Sequence, residues 1–153
     1  MTPHNVVDSY LSDFSAEEIY VRPAPGTNHL AWQIGHLLST QHRIIDMLFP
    51  GRMPAMPAGF AEQHSKETNA IDNPNQFLTK DQYLAEIKRQ RDGLLTLLES
   101  LSDEDLQAET PEAIRSFVAT KGAAINFVAG AHWLWHAGQW IIARRNLNKP
   151  VLV

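Results

Sequence analysis

His132 and His136 stand four residues apart in Ala131-His132-Trp133-Leu134-Trp135-His136-Ala137-Gly138-Gln139, a segment without a charged side chain. On an α-helix of ~100° and ~1.5 Å per residue their rings lie about 40° apart with roughly 6 Å of rise, so both can reach one metal ion. The chain has no cysteine, which leaves histidine and carboxylate as its strong ligands. Two imidazoles rarely complete a site, and a third ligand must come from another helix. The remaining histidines, His4, His29, His36, His42 and His64, are the candidates, with aspartate and glutamate possible in principle. The competing reading is that each histidine of the pair bonds a carbonyl or water inside a packed core, because an unpaired buried polar group costs about 1–3 kcal/mol.

Four helical segments must position these rings, and no sustained alternation of apolar and polar residues marks a strand. The first runs from about Pro3 to Phe14, and Arg22-Pro23-Ala24-Pro25-Gly26 breaks the chain after it. Thr27 or Asn28 is suited to cap a second helix that Pro50 and Gly51 end. Gly51 to Leu78 reads as a long crossover, of the kind that often carries function. Thr79-Lys80-Asp81-Gln82 is a capping box for a third helix to about Leu101, with Tyr83, Leu84, Ile87, Leu94, Leu95, Leu98 and Leu101 on its apolar side. Thr110-Pro111 or Thr120 opens the fourth, firm from Thr120 to about Asn146. The expected fold is all-α, an antiparallel four-helix bundle with long crossover connections, as one domain over residues 1–153.

His36 falls in the middle of the second helix, where a bundle core lies, and His29 at its first turn. The two share a stripe but are ~10.5 Å apart along the axis, so they cannot bind one ion together. His29 is expected at the rim of a pocket. His42 points away from His36 by about 120°, His64 lies in the crossover as either a solvated residue or a cover for the site, and His4 decorates the first turn. Trp32, Thr40, Arg43 and Met47 share the His36 side. Arg43 is suited to an anionic substrate group, or else pairs with Asp46 or Glu86 at the surface; Asp46 is also a candidate base. The same arithmetic puts Ile125, Val128, Trp135, Gln139 and Ala143 within about 60° of His132, and Phe127, Leu134 and Ile141 opposite. Gln139 is then placed to bond a ligand or substrate, or to order two helices. A last helix apolar almost all round needs cover on both sides and suggests a dimer contact. Trp133 and Trp140 fit that contact or the core.

A net charge of -4, from 13 Lys and Arg against 17 Asp and Glu, offers no basic field for nucleic acid. The stretch Gly122 to Ala143 is too polar for a membrane span, and Met1-Thr2-Pro3-His4-Asn5 lacks the order of a signal peptide. The expectation is a soluble cytoplasmic protein with no nucleic-acid or membrane partner.

Asn28-His29-Leu30-Ala31-Trp32-Gln33-Ile34-Gly35-His36-Leu37, together with His132-x-x-x-His136-Ala137-Gly138-Gln139 and the trailing Arg144-Arg145-Asn146-Leu147-Asn148-Lys149-Pro150, resembles the DinB-like superfamily of metal-binding bundles. The likeness extends to Arg22-Pro23-Ala24-Pro25-Gly26 and Leu101-Ser102-Asp103-Glu104-Asp105-Leu106. It implies a four-helix bundle, commonly a homodimer, with a divalent ion on three histidines, which by position are His36, His132 and His136. Characterised relatives include transferases and isomerases that use low-molecular-weight thiols. Three neutral imidazoles suit zinc or nickel first, with iron, manganese or cobalt as alternatives. They leave a coordination position open for water or substrate. The sequence therefore points to a divalent-metal-dependent enzyme, for thiol transfer or hydrolysis of a small substrate, with Trp32, Arg43, Gln139 and His29 as pocket residues. The alternative is a non-catalytic metal- or ligand-binding dimeric bundle.

Overall fold

A computed structural model describes residues 3–152. The long elements are α1 (Pro3–Asp13), α2 (Leu30–Leu48), α3 (Lys80–Glu99), α4 (Lys121–Asn126) and α5 (His132–Asn146), with one-turn helices at Phe60–Gln63, Asp103–Gln107 and Glu112–Arg115 between them. A π-helical turn, Phe127–Ala131, joins α4 to α5 into one continuous rod. The described chain is all-helical apart from an isolated bridge between Glu109 and Thr120. No helix among the described residues is long and apolar enough to cross a membrane.

Local chemistry sets the helix starts. Thr79 and Gln82 close the capping box that opens α3, and the Thr120 side chain accepts from the Ala123 N–H to open α4. The cap of α2 is neither Thr27 nor Asn28. Thr27 closes a turn on Ala24 through its hydroxyl, and His29 Nδ1 accepts the Trp32 N–H at 3.1 Å. An acceptor nitrogen carries no proton, so His29 holds its proton on Nε2 and donates it to the Ile71 carbonyl, 3.1 Å away.

Directions follow from side-chain pairings. Gln33 of α2 meets Trp140 of α5, and Gln41 meets Trp133, so α5 runs antiparallel to α2. Asp8 of α1 pairs with Arg91 of α3, while Phe14 just past α1 accepts from Lys80 at the start of α3; these two are antiparallel as well. Arg52, just beyond α2, donates to Ser100, just beyond α3. Thus α2 and α3 run in the same sense, which the long crossover between them permits.

The crossover is a packed element. Met53, Phe60, His64 and Phe77 are buried in it. His64 is neither solvated nor a cover for the histidine pair: Nδ1 donates to the Phe60 carbonyl at 2.7 Å, and Nε2 then accepts the Tyr83 hydroxyl at 2.6 Å. Its ring presses on bare α2 backbone, since a Cβ on Gly35 would sit 2.0 Å from His64 Cδ2. Pro54 uses Gly93 of α3 the same way, at 2.3 Å from a Cβ there.

The buried side chains form two clusters, one around Leu11, Phe14, Ile34, Tyr83 and Trp140, the other around Ile45, Leu48, Leu97, Ile125 and Val128. On α3 the buried positions are Tyr83, Glu86, Ile87, Gln90, Leu94 and Leu97, and Leu84 and Leu95 face solvent. The inward stripe is narrower than the apolar pattern suggests, because Glu86 is buried while it accepts from Arg89 and Gln90, and Gln90 Nε2 also donates to the Pro54 carbonyl. Trp133 and Trp140 belong to the core.

Candidate metal centre

His36 from the middle of α2 meets His132 and His136 from the first turn and a half of α5. The ring centroids are 5.3 Å apart for His36 and His132, 5.5 Å for His36 and His136, and 5.0 Å for His132 and His136. Each residue offers a nitrogen within 4.8 Å of the other two. Nitrogens held ~2.1 Å from a common ion are at most ~4.2 Å apart, so small χ rotations would bring these three onto one centre. Among the described residues no cysteine or carboxylate joins the cluster.

Each ring is held by a different neighbour. The Trp32 indole stacks on His36 with centroids 5.1 Å apart and 5° between planes. The indole in turn donates its N–H to Ser65 O and Thr68 Oγ1 of the crossover. Phe127 stacks on His132 at 5.5 Å and 11°. His136 Nδ1 lies 2.9 Å from Gln33 Oε1.

Gln33 fixes the tautomer of His136. The indole N–H of Trp140 can only donate, and it meets Gln33 Oε1 at 3.0 Å; the Asn28 carbonyl can only accept, and it meets Gln33 Nε2 at 2.6 Å. The amide therefore has one orientation, with its oxygen on His136 Nδ1. That nitrogen carries the proton, leaving the Nε2 lone pair free for a metal, the arrangement typical of a metal-ligating histidine. Sequence reasoning missed Gln33; its signal is an uncharged polar residue inside the apolar run Leu30–Leu38 of a helix whose buried face includes it.

Burial lowers all three imidazole pKa values, and neighbouring rings lower those of His132 and His136 further. His132 and His136 are pushed down to about 4, and His36 is lowered by burial and then by Arg43 and Lys66. All three are neutral near pH 7, the state that binds metals. His132 Nδ1 is buried with no hydrogen-bond partner, a vacancy costing about 1–3 kcal/mol unless something meets it. The donor set, its protonation and this orphaned nitrogen all fit a divalent ion.

The other candidates lie elsewhere. His29 spends both nitrogens as the α2 cap and packs against Phe77 and Tyr20; its place is structural rather than at a pocket rim. His64 is engaged at both nitrogens, and neither His4 nor His42 joins the cluster. Trp32 is buried behind His36. Gln139 is exposed, as is Trp135 at 63%, so the edge of α5 that they share with His132 lies open rather than in the core. The π turn acts upstream of that face: the His132 N–H bonds the Phe127 carbonyl five residues back, which brings Phe127 from the far side of the helix onto the His132 ring. Asp46 accepts from the Gly51 N–H at 2.8 Å, and Glu86 is held by Arg89 and Gln90. Neither carboxylate is paired with Arg43.

Compared with known proteins, residues 4–139 match the family model of the DinB superfamily. No curated protein and no solved structure matches the chain.

Proposed function

The chain belongs to the DinB superfamily, and from that membership and its converging imidazoles we propose a divalent-metal-dependent enzyme whose ion is held by His36, His132 and His136. The convergence of three neutral rings from two helices carries the reading. Zinc or nickel is the proposed occupant, because imidazole nitrogens favour later first-row ions. When bound, such an ion supplies Lewis acidity that lowers the pKa of a water or thiol reaching it.

The chain's own residues prepare the site. Gln33 keeps the His136 proton on Nδ1, Trp32 sets the plane of His36, and Phe127 shields one face of His132. Three uncharged ligands leave the full positive charge of the ion uncompensated, which suits activation of a nucleophile. Thiol transfer or hydrolysis of a small substrate is the proposed reaction class. The absence of a carboxylate from the cluster among the described residues favours a second reading, a bundle stabilised by metal without turnover.

We place the protein in the cytoplasm as a homodimer. Support for the second copy comes from the exposed apolar stripe Leu134, Trp135 and Ile142 on α5, where Gly138 leaves open space for another backbone.

Elemental analysis of protein purified without an affinity tag tests the metal, with about one zinc or nickel per chain expected. His136→Ala is expected to retain metal at least ~10-fold more weakly; unchanged metal content in that variant would overturn the ligand assignment. Catalysis is tested by a screen of low-molecular-weight thiols against electrophiles with the loaded protein. Stoichiometric metal without turnover across that screen supports the second reading.

A further inference from the structure

A cavity of about 240 Å³ opens beside the imidazole cluster, between α2, the one-turn helix Glu112–Arg115 and the α4–π segment. Its volume equals the liquid share of about eight waters, the scale of a small organic molecule. Ile44, Ile114, Phe117, Val118 and Phe127 make its wall apolar, and Thr40 and Arg43 bring polar groups to it.

Two elements tie the cavity to the histidines. Phe127 lines it and also stacks on His132, a position the π turn creates. On α2, His36, Thr40 and Arg43 fall at i, i+4 and i+7, which puts the cavity about 6–10 Å along the axis from His36.

Arg43 is also uncommitted. Arg22, Arg89, Arg91, Arg115 and Arg144 each hold a carboxylate. Among the described residues Arg43 has no ion pair or side-chain hydrogen bond, and the two carboxylates suggested for it by sequence, Asp46 and Glu86, are engaged elsewhere. A guanidinium and one hydroxyl beside an apolar wall match a single negative charge on an apolar body. A phosphate dianion would call for further donors.

We propose that this cavity is the substrate subsite and that it takes a small amphipathic carboxylate. The carboxylate lies on Arg43 and Thr40, and the aliphatic or aryl body lies along Phe127 toward the imidazoles. The inference rests on the metal-site reading for the direction the substrate faces, and not for its binding.

The test uses the full chain, with and without zinc, and three probes, octanoate, benzoate and 4-phenylbutyrate, each beside its neutral amide. Binding is read from backbone amide shifts in two-dimensional NMR. At least one acid is expected to shift Ala113, Val118 and Val128 and to bind at least tenfold more tightly than its amide. Arg43→Gln should bring that acid down to the affinity of the amide, and Ala113→Trp, at an exposed position of the lining, should remove both, with zinc content and melting temperature unchanged. Equal binding of acid and amide, no binding of any probe, shifts that map elsewhere, or selectivity that survives Arg43→Gln would each overturn the proposal. Selective binding by a protein that retains no zinc would uphold the subsite and overturn the metal reading, and zinc retention without binding would do the reverse.

Discussion

Replacing Gln33 by leucine keeps the side chain's bulk and removes every polar contact it makes. The Trp140 indole N–H and the His136 Nδ1–H both lose their acceptor. Each buried donor left unmet costs about 1–3 kcal/mol, so the metal-free variant should be less stable by roughly 2–6 kcal/mol. His136 also loses the bond that keeps its proton off Nε2, and removing such a partner typically weakens metal binding about 10–100-fold. Gln33→Glu separates the two effects. A neutral glutamic acid can accept from both ring N–H groups through its carbonyl oxygen and donate its own proton to the Asn28 carbonyl, so it should retain zinc within about threefold of the native chain. Affinity is read by competition with a chromophoric chelator, and the His136 tautomer by ¹⁵N shifts of the imidazole. Native zinc affinity in a folded Gln33→Leu variant, or equal losses in the leucine and glutamic acid variants, would refute the role assigned to Gln33.

Three other outcomes follow from the same coordinates. Gly35→Ala drives a Cβ into the His64 ring and should cost about 1–3 kcal/mol as an overpacked contact, or roughly 2–4 °C of melting temperature per kcal/mol in a domain of this size; a native melting curve would show that the crossover yields freely. In the unfolded chain the imidazoles titrate near 6.5, whereas folded His132 and His136 take up protons only at about 4. The unfolded state thus binds more protons between these values, so the stability of the metal-free protein should fall as pH drops from about 6.5 to about 4. A melting temperature flat across that window would contradict the burial argument, and His136→Ala should flatten it in part. Trp135→Lys should convert the proposed dimer to a monomer in sedimentation, and a native chain that is monomeric at high concentration would remove the dimer.

Sequence periodicity exposes what depends on local spacing. Thr79 with Gln82, Thr120, the breaks at Pro23 to Gly26 and the pair His132 and His136 are each legible because capping and helical pitch involve residues within a turn of one another. The α2 cap escaped because imidazole is an uncommon capping group, and His29 serves only with Ile71 from the crossover accepting its Nε2 proton. His64 escaped for the same kind of reason: its partners Gly35 and Tyr83 lie 29 positions before it and 19 after it in the chain, and no local pattern announces such a contact.

The face of α5 shows where a periodic argument must fail. Projecting residues at ~100° per position assumes one pitch along the rod, and the π turn at Phe127–Ala131 breaks that assumption at the junction with the first histidine of the pair. After the turn, Trp133, Ala137 and Trp140 face the core, Trp135 and Gln139 face outward, and Phe127 lies on His132. A π turn gives up regular α hydrogen bonding and is found frequently at functional sites. Here it carries Phe127 onto the His132 ring, while along the rod Ile125 and Val128 pack in one core cluster and Trp133 and Trp140 in the other. Between the clusters, two imidazoles are turned toward α2 and an aromatic wall toward the cavity. The same local irregularity that defeats projection from sequence is therefore what sets the histidine cluster and the Arg43 cavity side by side.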